Sequence, residues 1–212
     1  ASFSDAMWFL FRGTMPTEHQ IRMFTAVLVA AIDHGPGTAS GQVARIVTSA
    51  KNSMHVSVAA AILAMGERHG GAIEGAAEFF LAHKNETDVA ALASTLKEQK
   101  VRVPGYGHAV LSVDHRSTQL FEIAKKEGVY GEACAFAESF HGALSSLSSK
   151  PLPLNIDGSM AAILLDLGFD VSMMKGIFII ARVPGLVAQS YEEQTHDVGL
   201  RRLEENDVEF VG

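Results

Sequence analysis

One cysteine, Cys134, is the chain's whole thiol content, so an intrachain disulfide is excluded and a reducing cytoplasm is the expected location. Its setting among Ala and Phe in EACAFAESF marks it as a small core residue. Aromatics are scarce at 8%, with one Trp and three Tyr, and charged residues reach only 19%. A sandwich of aromatic-rich strands is therefore not expected. Positive charge is in deficit: 17 Lys and Arg against 24 Asp and Glu leave a net −7. Such a surface repels nucleic acid and anionic lipid, so neither is an expected partner. Uninterrupted apolar runs of the ~18 residues that a membrane span needs are missing. FTAVLVAAI is too short, and no basic segment followed by a cleavage site marks a secretion signal.

What the chain does have is 48% hydrophobic residues, rich in Ala, Leu and Val, spread over 212 residues. That mix favours closely packed helices, and the length suffices for one large core or a large domain with a smaller lobe. Ser4 is placed to cap a first helix that stops at Gly13. Thr17 and Gln20 form a capping box before IRMFTAVLVAAI. DHGPGTASG interrupts the pattern, and helical stretches resume at QVARIVTSAKN, SMHVSVAAAIL and from Ala72 to His83. Thr87 is placed to cap DVAALASTLKEQ. RVPGYGHAVLSVDHR is the one long irregular stretch. STQLFEIAKKEG, YGEACAFAESFHGALSSL and DGSMAAILLDLG follow as helices. VSMMKGIFIIARVPGLVAQSYEEQ reads as a long helix partly broken at Pro184, and the polar tail after it as extended. The expectation is an all-α fold of about nine or ten helices.

Four irregular places set a titratable side chain beside glycine: His34 in DHGPG, His69 in ERHGG, His108 in GYGHAV and Asp157 in NIDGS. Glycine there lets the backbone turn sharply or approach a ligand. Each place alone has a plainer reading. The histidines fit capping or surface positions, and Asp157 fits the N-cap of the apolar helix that follows it.

Taken in order, these pieces resemble the citrate synthase family along nearly the whole chain. VPGYGHAVL is similar to the signature loop of that family, and ERHGGAIEGAAEFF to the segment that opens a helix after its first catalytic histidine. LNIDG resembles the segment that carries the family's aspartate, AIDHGPG one that holds a substrate histidine, and FIIARVPGLVAQ the helix that bears a substrate arginine. DHGPG, LNIDG and the tail GLRRLEENDVEFVG look closer still to the citryl-CoA lyase module of ATP-citrate lyase. Those modules tend to carry an aromatic residue where this chain keeps His69, as synthases do.

The resemblance implies an all-α, citrate synthase-like homodimer or higher homo-oligomer. It implies a large helical domain (1–70 and 163–212) and a small lobe (71–162) that carries the CoA-binding loop. It further implies a cytoplasmic enzyme that makes or cleaves the carbon–carbon bond of citryl-CoA, from acetyl-CoA and oxaloacetate, in either direction and without a metal. Asp157 then serves as the base, His69 donates to the thioester oxygen, and His108 polarises the oxaloacetate carbonyl. Arg116, Arg182 and Arg202 bind substrate carboxylates, which arginine grips bidentately, and His34 contacts oxaloacetate. Coenzyme A lies against Val103, Pro104, Gly105, Tyr106 and Gly107. The family's phosphate-binding arginine after the loop is replaced by Ser112, which leaves Lys100 and Arg102 as candidates for the CoA phosphates. Two alternatives stand beside this: a 2-methylcitrate synthase that takes propionyl-CoA, and a non-catalytic oligomerisation core of an ATP-citrate lyase-like complex.

Overall fold

The computed structural model describes residues 1–67, 69–107 and 112–209. These residues form ten α-helices and one short 3₁₀ turn, with no β-strand among them. Two isolated bridges, Gly66 with His69 and Tyr106 with Leu154, are the nearest approach to sheet. The all-helical expectation is met.

The chain divides into two compact units, residues 1–31 with 70–178 and residues 32–69 with 179–212. These boundaries differ from the lobes drawn from the sequence, and each unit is described by itself.

The first unit contains α1 (Phe3–Arg12), α2 (Glu18–Ala30), α5 (Ala72–His83), α6 (Val89–Glu98), α7 (His115–Lys126), α8 (Glu132–Leu147) and α9 (Ile156–Asp166), together with the start of α10 (Val171–His196). Thr17 and Gln20 form the expected capping box of α2. At α1 the cap is Ser2 rather than Ser4, because Asp5 completes a capping box with Ser2. At α6 it is Asp88 rather than Thr87: the Asp88 carboxylate accepts the Ala91 N–H at 2.9 Å.

Helix α9 is the centre of this unit and packs against α5, α7, α8 and α2. Eight of its eleven residues are buried. Met160, Ile163 and Leu164 are fully enclosed, each contributing roughly 1.5–3 kcal/mol of transfer free energy. Its last residue, Asp166, accepts the N–H groups of Gly131, Ala133 and Cys134 at 2.8–2.9 Å. A carboxylate thus closes the N-terminus of α8, where the helix dipole favours negative charge. Trp8, Phe24 and Phe169 form one aromatic cluster, and Phe79, Phe80, Tyr106, Phe136 and Phe140 a second. Cys134 is fully buried there, as expected.

The second unit contains α3 (Ala39–Ser49), α4 (Met54–Leu63), most of α10 and the tail. Helix α10 is continuous and is not broken at Pro184. Apolar burial on both sides of the proline, at Ala181 and Leu186, carries the helix through one missing hydrogen bond. Its most apolar 18-residue window has a mean hydropathy of 1.6, enough in length and composition to cross a membrane. Yet α10 also carries buried Arg182, Gln189 and Glu193, which are polar groups packed inside protein.

The Glu193 side chain is 2% exposed and accepts from Arg45 and Arg201. Arg45 also reaches Gln189 and Glu192. These contacts hold the tail from Arg201 onward on α3 and α10, reinforced by the Arg201 N–H donating to Ser49 Oγ at 3.0 Å.

Candidate active site

In the first unit the glycine-rich loop and the start of α9 are joined backbone to backbone. Gly107 N–H donates to Pro153 O at 2.8 Å, Asn155 N–H to Gly105 O at 2.9 Å, and the Asn155 amide to Gly107 O at 2.9 Å. Gly105 and Gly107 take positive φ values of 87° and 88°, which glycine adopts without penalty. Close approach demands glycine a second time: a Cβ on Gly105 would stand 2.8 Å from Gly158 Cα. Tyr106 is packed against Phe80 and Phe140, and its hydroxyl donates to Ala137 O at 3.0 Å. Burial pushes that phenol well above its ordinary value, so it stays neutral.

Asp157 sits in the first turn of α9, half-buried, but it is not the cap. Asn155 takes that role, its Oδ1 accepting the Gly158 N–H at 3.1 Å. The plainer reading of Asp157 as the N-cap is therefore overturned.

Arg116 opens α7. Its guanidinium lies on the carboxylate of Asp114, with Nε at 2.9 Å and Nη2 at 2.8 Å. Asp114 is 2% exposed and also accepts the N–H groups of Arg116 and Ile156, each at 3.1 Å. Burial alone would raise the Asp114 carboxyl. The hydrogen bonds and charge of Arg116, with the two backbone donors, outweigh burial and hold it below the usual carboxylate value.

A cavity of about 620 Å³ adjoins the loop in the same unit. Val103, Tyr106 and Gly107 form one wall, with Lys97, Lys100, Arg102 and Lys150 also lining it. In a chain of net −7 this is a local reversal of sign.

In the second unit His69 follows a tight turn in which its N–H donates to Gly66 O at 3.0 Å. Its Nε2 lies 2.7 Å from Ser40 Oγ and 3.4 Å from the Ser40 backbone nitrogen, at the N-terminus of α3. A backbone N–H aimed at Nε2 makes that nitrogen an acceptor, which leaves the imidazole proton on Nδ1. Burial, then the positive charge of Arg182, holds His69 below its ordinary value. The neutral ring can thus donate through Nδ1.

Arg182 is 2% exposed on α10. His34 is exposed in the loop between α2 and α3. Asp33 beside it accepts from Gly35 N–H at 3.0 Å and from Gln189 of α10 at 3.1 Å. Gly185 permits this approach, since a Cβ there would meet Asp33 Oδ1 at 3.0 Å. Arg201 is committed to Glu193, whereas Arg202 faces a cavity of about 380 Å³ beside Arg45 and Leu203.

The sequence-predicted residues therefore fall into two sets. Asp157, Arg116 and the 103–107 loop are joined within the first unit; His34, His69, Arg182 and Arg202 belong to the second. His108 lies outside the described residues. Sequence reasoning missed Ser40, Asp114 and Asn155, which act through residues far away in the chain. Among the described residues no cluster of three or more His, Cys, Asp or Glu is arranged to hold a metal ion.

The family model for the citrate synthase C-terminal domain matches residues 1–203. Citryl-CoA lyase from Hydrogenobacter thermophilus is 43% identical and superposes with a TM-score of 0.93, covering all of this chain and 84% of that one. ATP citrate lyase from Methanothrix soehngenii, solved with citrate and coenzyme A, is 22% identical with a TM-score of 0.89. It covers all of this chain and 37% of that one, and shows a shared fold. The probable ATP-citrate synthase subunit 1 of Neurospora crassa is 26% identical over 97% of this chain. The chain spans about a third of such curated relatives, 33% in that case. With a family model matched over nearly its full length, the chain belongs to the citrate synthase family.

Proposed function

We propose that this chain is a citryl-CoA lyase, cleaving citryl-CoA to acetyl-CoA and oxaloacetate and able to run the reverse condensation. The observation that carries this is the joining of the 103–107 loop to the first turn of α9, which sets the Asp157 residue beside that loop. The similarity to citryl-CoA lyase in sequence and structure supports the cleavage direction.

In cleavage, His108 accepts the proton of the citryl hydroxyl as the carbon–carbon bond breaks. The electron pair becomes the enolate of acetyl-CoA, and its oxygen receives the hydrogen bond of His69 Nδ1–H. A preorganised donor of this kind is worth about 3–4 kcal/mol of barrier. Asp157, entering as the acid, protonates the methylene carbon; in condensation the same groups exchange roles. Arg116, Arg182, Arg202 and His34 bind the carboxylates. Coenzyme A lies along Val103–Gly107, with Lys100, Arg102 and Lys150 near its phosphates. The reaction needs no metal.

We also propose a homodimer. Exposed Val56 and Leu63 on α4 and Val187 and Tyr191 on α10 support that reading, as does the exposed position of Arg202 beside its cavity. The lobes 1–70 with 163–212 and 71–162 are proposed to close over substrate, and the cytoplasm is the proposed location.

A coupled assay tests the activity. Purified protein given citryl-CoA is expected to release oxaloacetate, read by malate dehydrogenase. Free thiol formed from acetyl-CoA plus oxaloacetate, without oxaloacetate release from citryl-CoA, would instead make it a synthase. No turnover of either sinks both.

A further inference from the structure

We propose that Asp114 is a positioning residue that sets Arg116 and the start of α9 at once, so that gripping a substrate carboxylate and placing the Asp157 carboxylate are mechanically one event. This rests on the functional reading above.

The carboxylate of Asp114 is almost fully enclosed and carries four N–H···O contacts. Two come from the Nε and Nη2 edge of Arg116, which fixes the plane of the guanidinium. That leaves Nη1 as the group turned elsewhere. Nη1 is buried and has no hydrogen-bond partner among the described residues. A buried guanidinium nitrogen in that condition costs free energy unless an acceptor arrives. A substrate carboxylate oxygen is such an acceptor, and one edge held by Asp114 leaves the other preorganised for it.

The fourth contact is the N–H of Ile156, the first residue of α9 and the neighbour of Asp157. The first-turn N–H groups of a helix lack partners within it. Asp114, the N-cap of α7, accepts one of them, and Asn155 accepts that of Gly158 locally. The position of the Asp157 backbone therefore depends on the same carboxylate that orients Arg116. Any shift of Arg116 on meeting substrate pulls on Asp114 and through it on the start of α9.

The test compares Asp114→Asn, Arg116→Lys and the double variant with Ser117→Ala. Ser117 makes a different bond between the same two helices, its hydroxyl accepting from Ser159 at 3.0 Å, and does not touch Arg116 through it. Asp114→Asn should raise KM for citryl-CoA, and weaken oxaloacetate binding by calorimetry, about tenfold or more. It should also slow proton exchange at the methyl group of acetyl-CoA. The double variant should lose little beyond the worse single one, because the two residues act as a unit. Ser117→Ala should lower the melting temperature while leaving KM and exchange unchanged.

Without substrate, Asp114→Asn should shift the Arg116 Nε–H resonance and speed hydrogen exchange of the Ile156 amide. If wild-type protein binds oxaloacetate and Asp114→Asn binds it as tightly, or if the two losses simply add, the positioning role is overturned and the function stands. A wild type that neither binds nor turns over these substrates overturns both.

Discussion

Gly105 and Gly158 stand so close that neither tolerates a side chain. A Cβ on Gly158 would lie 2.5 Å from Gly105 O and 3.0 Å from Gly105 Cα. The contact joins the glycine-rich loop to α9 and makes an unusual prediction. Gly158 is helical, so Gly→Ala by propensity alone should stabilise by about 1 kcal/mol. Overpacking against an unyielding backbone reverses the sign, and Gly158→Ala should destabilise by about 1–3 kcal/mol. Urea denaturation reads the sign directly, and a stabilised variant would mean the loop is not seated as described.

Asp157 and Asn155 separate chemistry from capping. Asp157→Asn should abolish exchange of the acetyl-CoA methyl protons and leave the melting temperature within a degree or two. Asn155→Ala should do the opposite in stability, with a loss of about 1 kcal/mol from the cap and more from its bond to Gly107. Retained exchange in Asp157→Asn would reject it as the base.

The neutral state of His69 has a definite pH signature. Its folded value lies below the 6.5 of a free histidine through burial and Arg182. Its share of stability is therefore complete above 6.5 and is lost as pH falls through the depressed value, where the ring takes up a proton. An NMR titration of the His69 ring should show a midpoint below 6.5, and Arg182→Met should move it upward. Ser40→Ala should lower turnover, since it removes the hydroxyl at 2.7 Å that fixes the ring. A His69 midpoint unmoved by Arg182→Met would remove the electrostatic link between them.

Glu193 carries a second acid-sensitive link. Arg201, acting against burial and with help from Arg45, holds its carboxyl below the usual range. The sign follows: stability from Glu193 is present above the ordinary glutamate value and fades as pH falls below it. Thermal melts of wild type and Glu193→Gln should converge as the solution is acidified from pH 7 toward ~3. Curves that stay parallel would show that this network does not hold the tail.

Much of the architecture was readable because it is written locally. Thr17 and Gln20 sit three apart, and a capping box is a local contract. The caps expected at Ser4 and Thr87 lie instead at Ser2 and Asp88, one or two residues earlier or later, since each neighbour offers a short side-chain oxygen acceptor and only backbone geometry chooses between them. Pro184 misled because flanking apolar packing outweighs one lost hydrogen bond. The glycine-flanked motifs pointed to Asp157, His69 and the 103–107 loop. Ser40 and Asp114 stayed hidden: Ser40 meets His69 across 29 positions and Asp114 meets Ile156 across 42. No pattern within either segment announces its distant partner.

Helix α9 is held at both extremities by acids, Asp114 gripping Ile156 at its beginning and Asp166, its final residue, gripping the opening of α8. That makes it a ruler of fixed length. One residue added or removed between the two grips would turn the rest of the helix by ~100° and shift it by ~1.5 Å, so only one end could remain engaged. Substitutions along α9 away from the Gly158 contact can therefore be absorbed by repacking, but its residue count cannot drift without releasing either the carboxylate at one end or the neighbouring helix at the other.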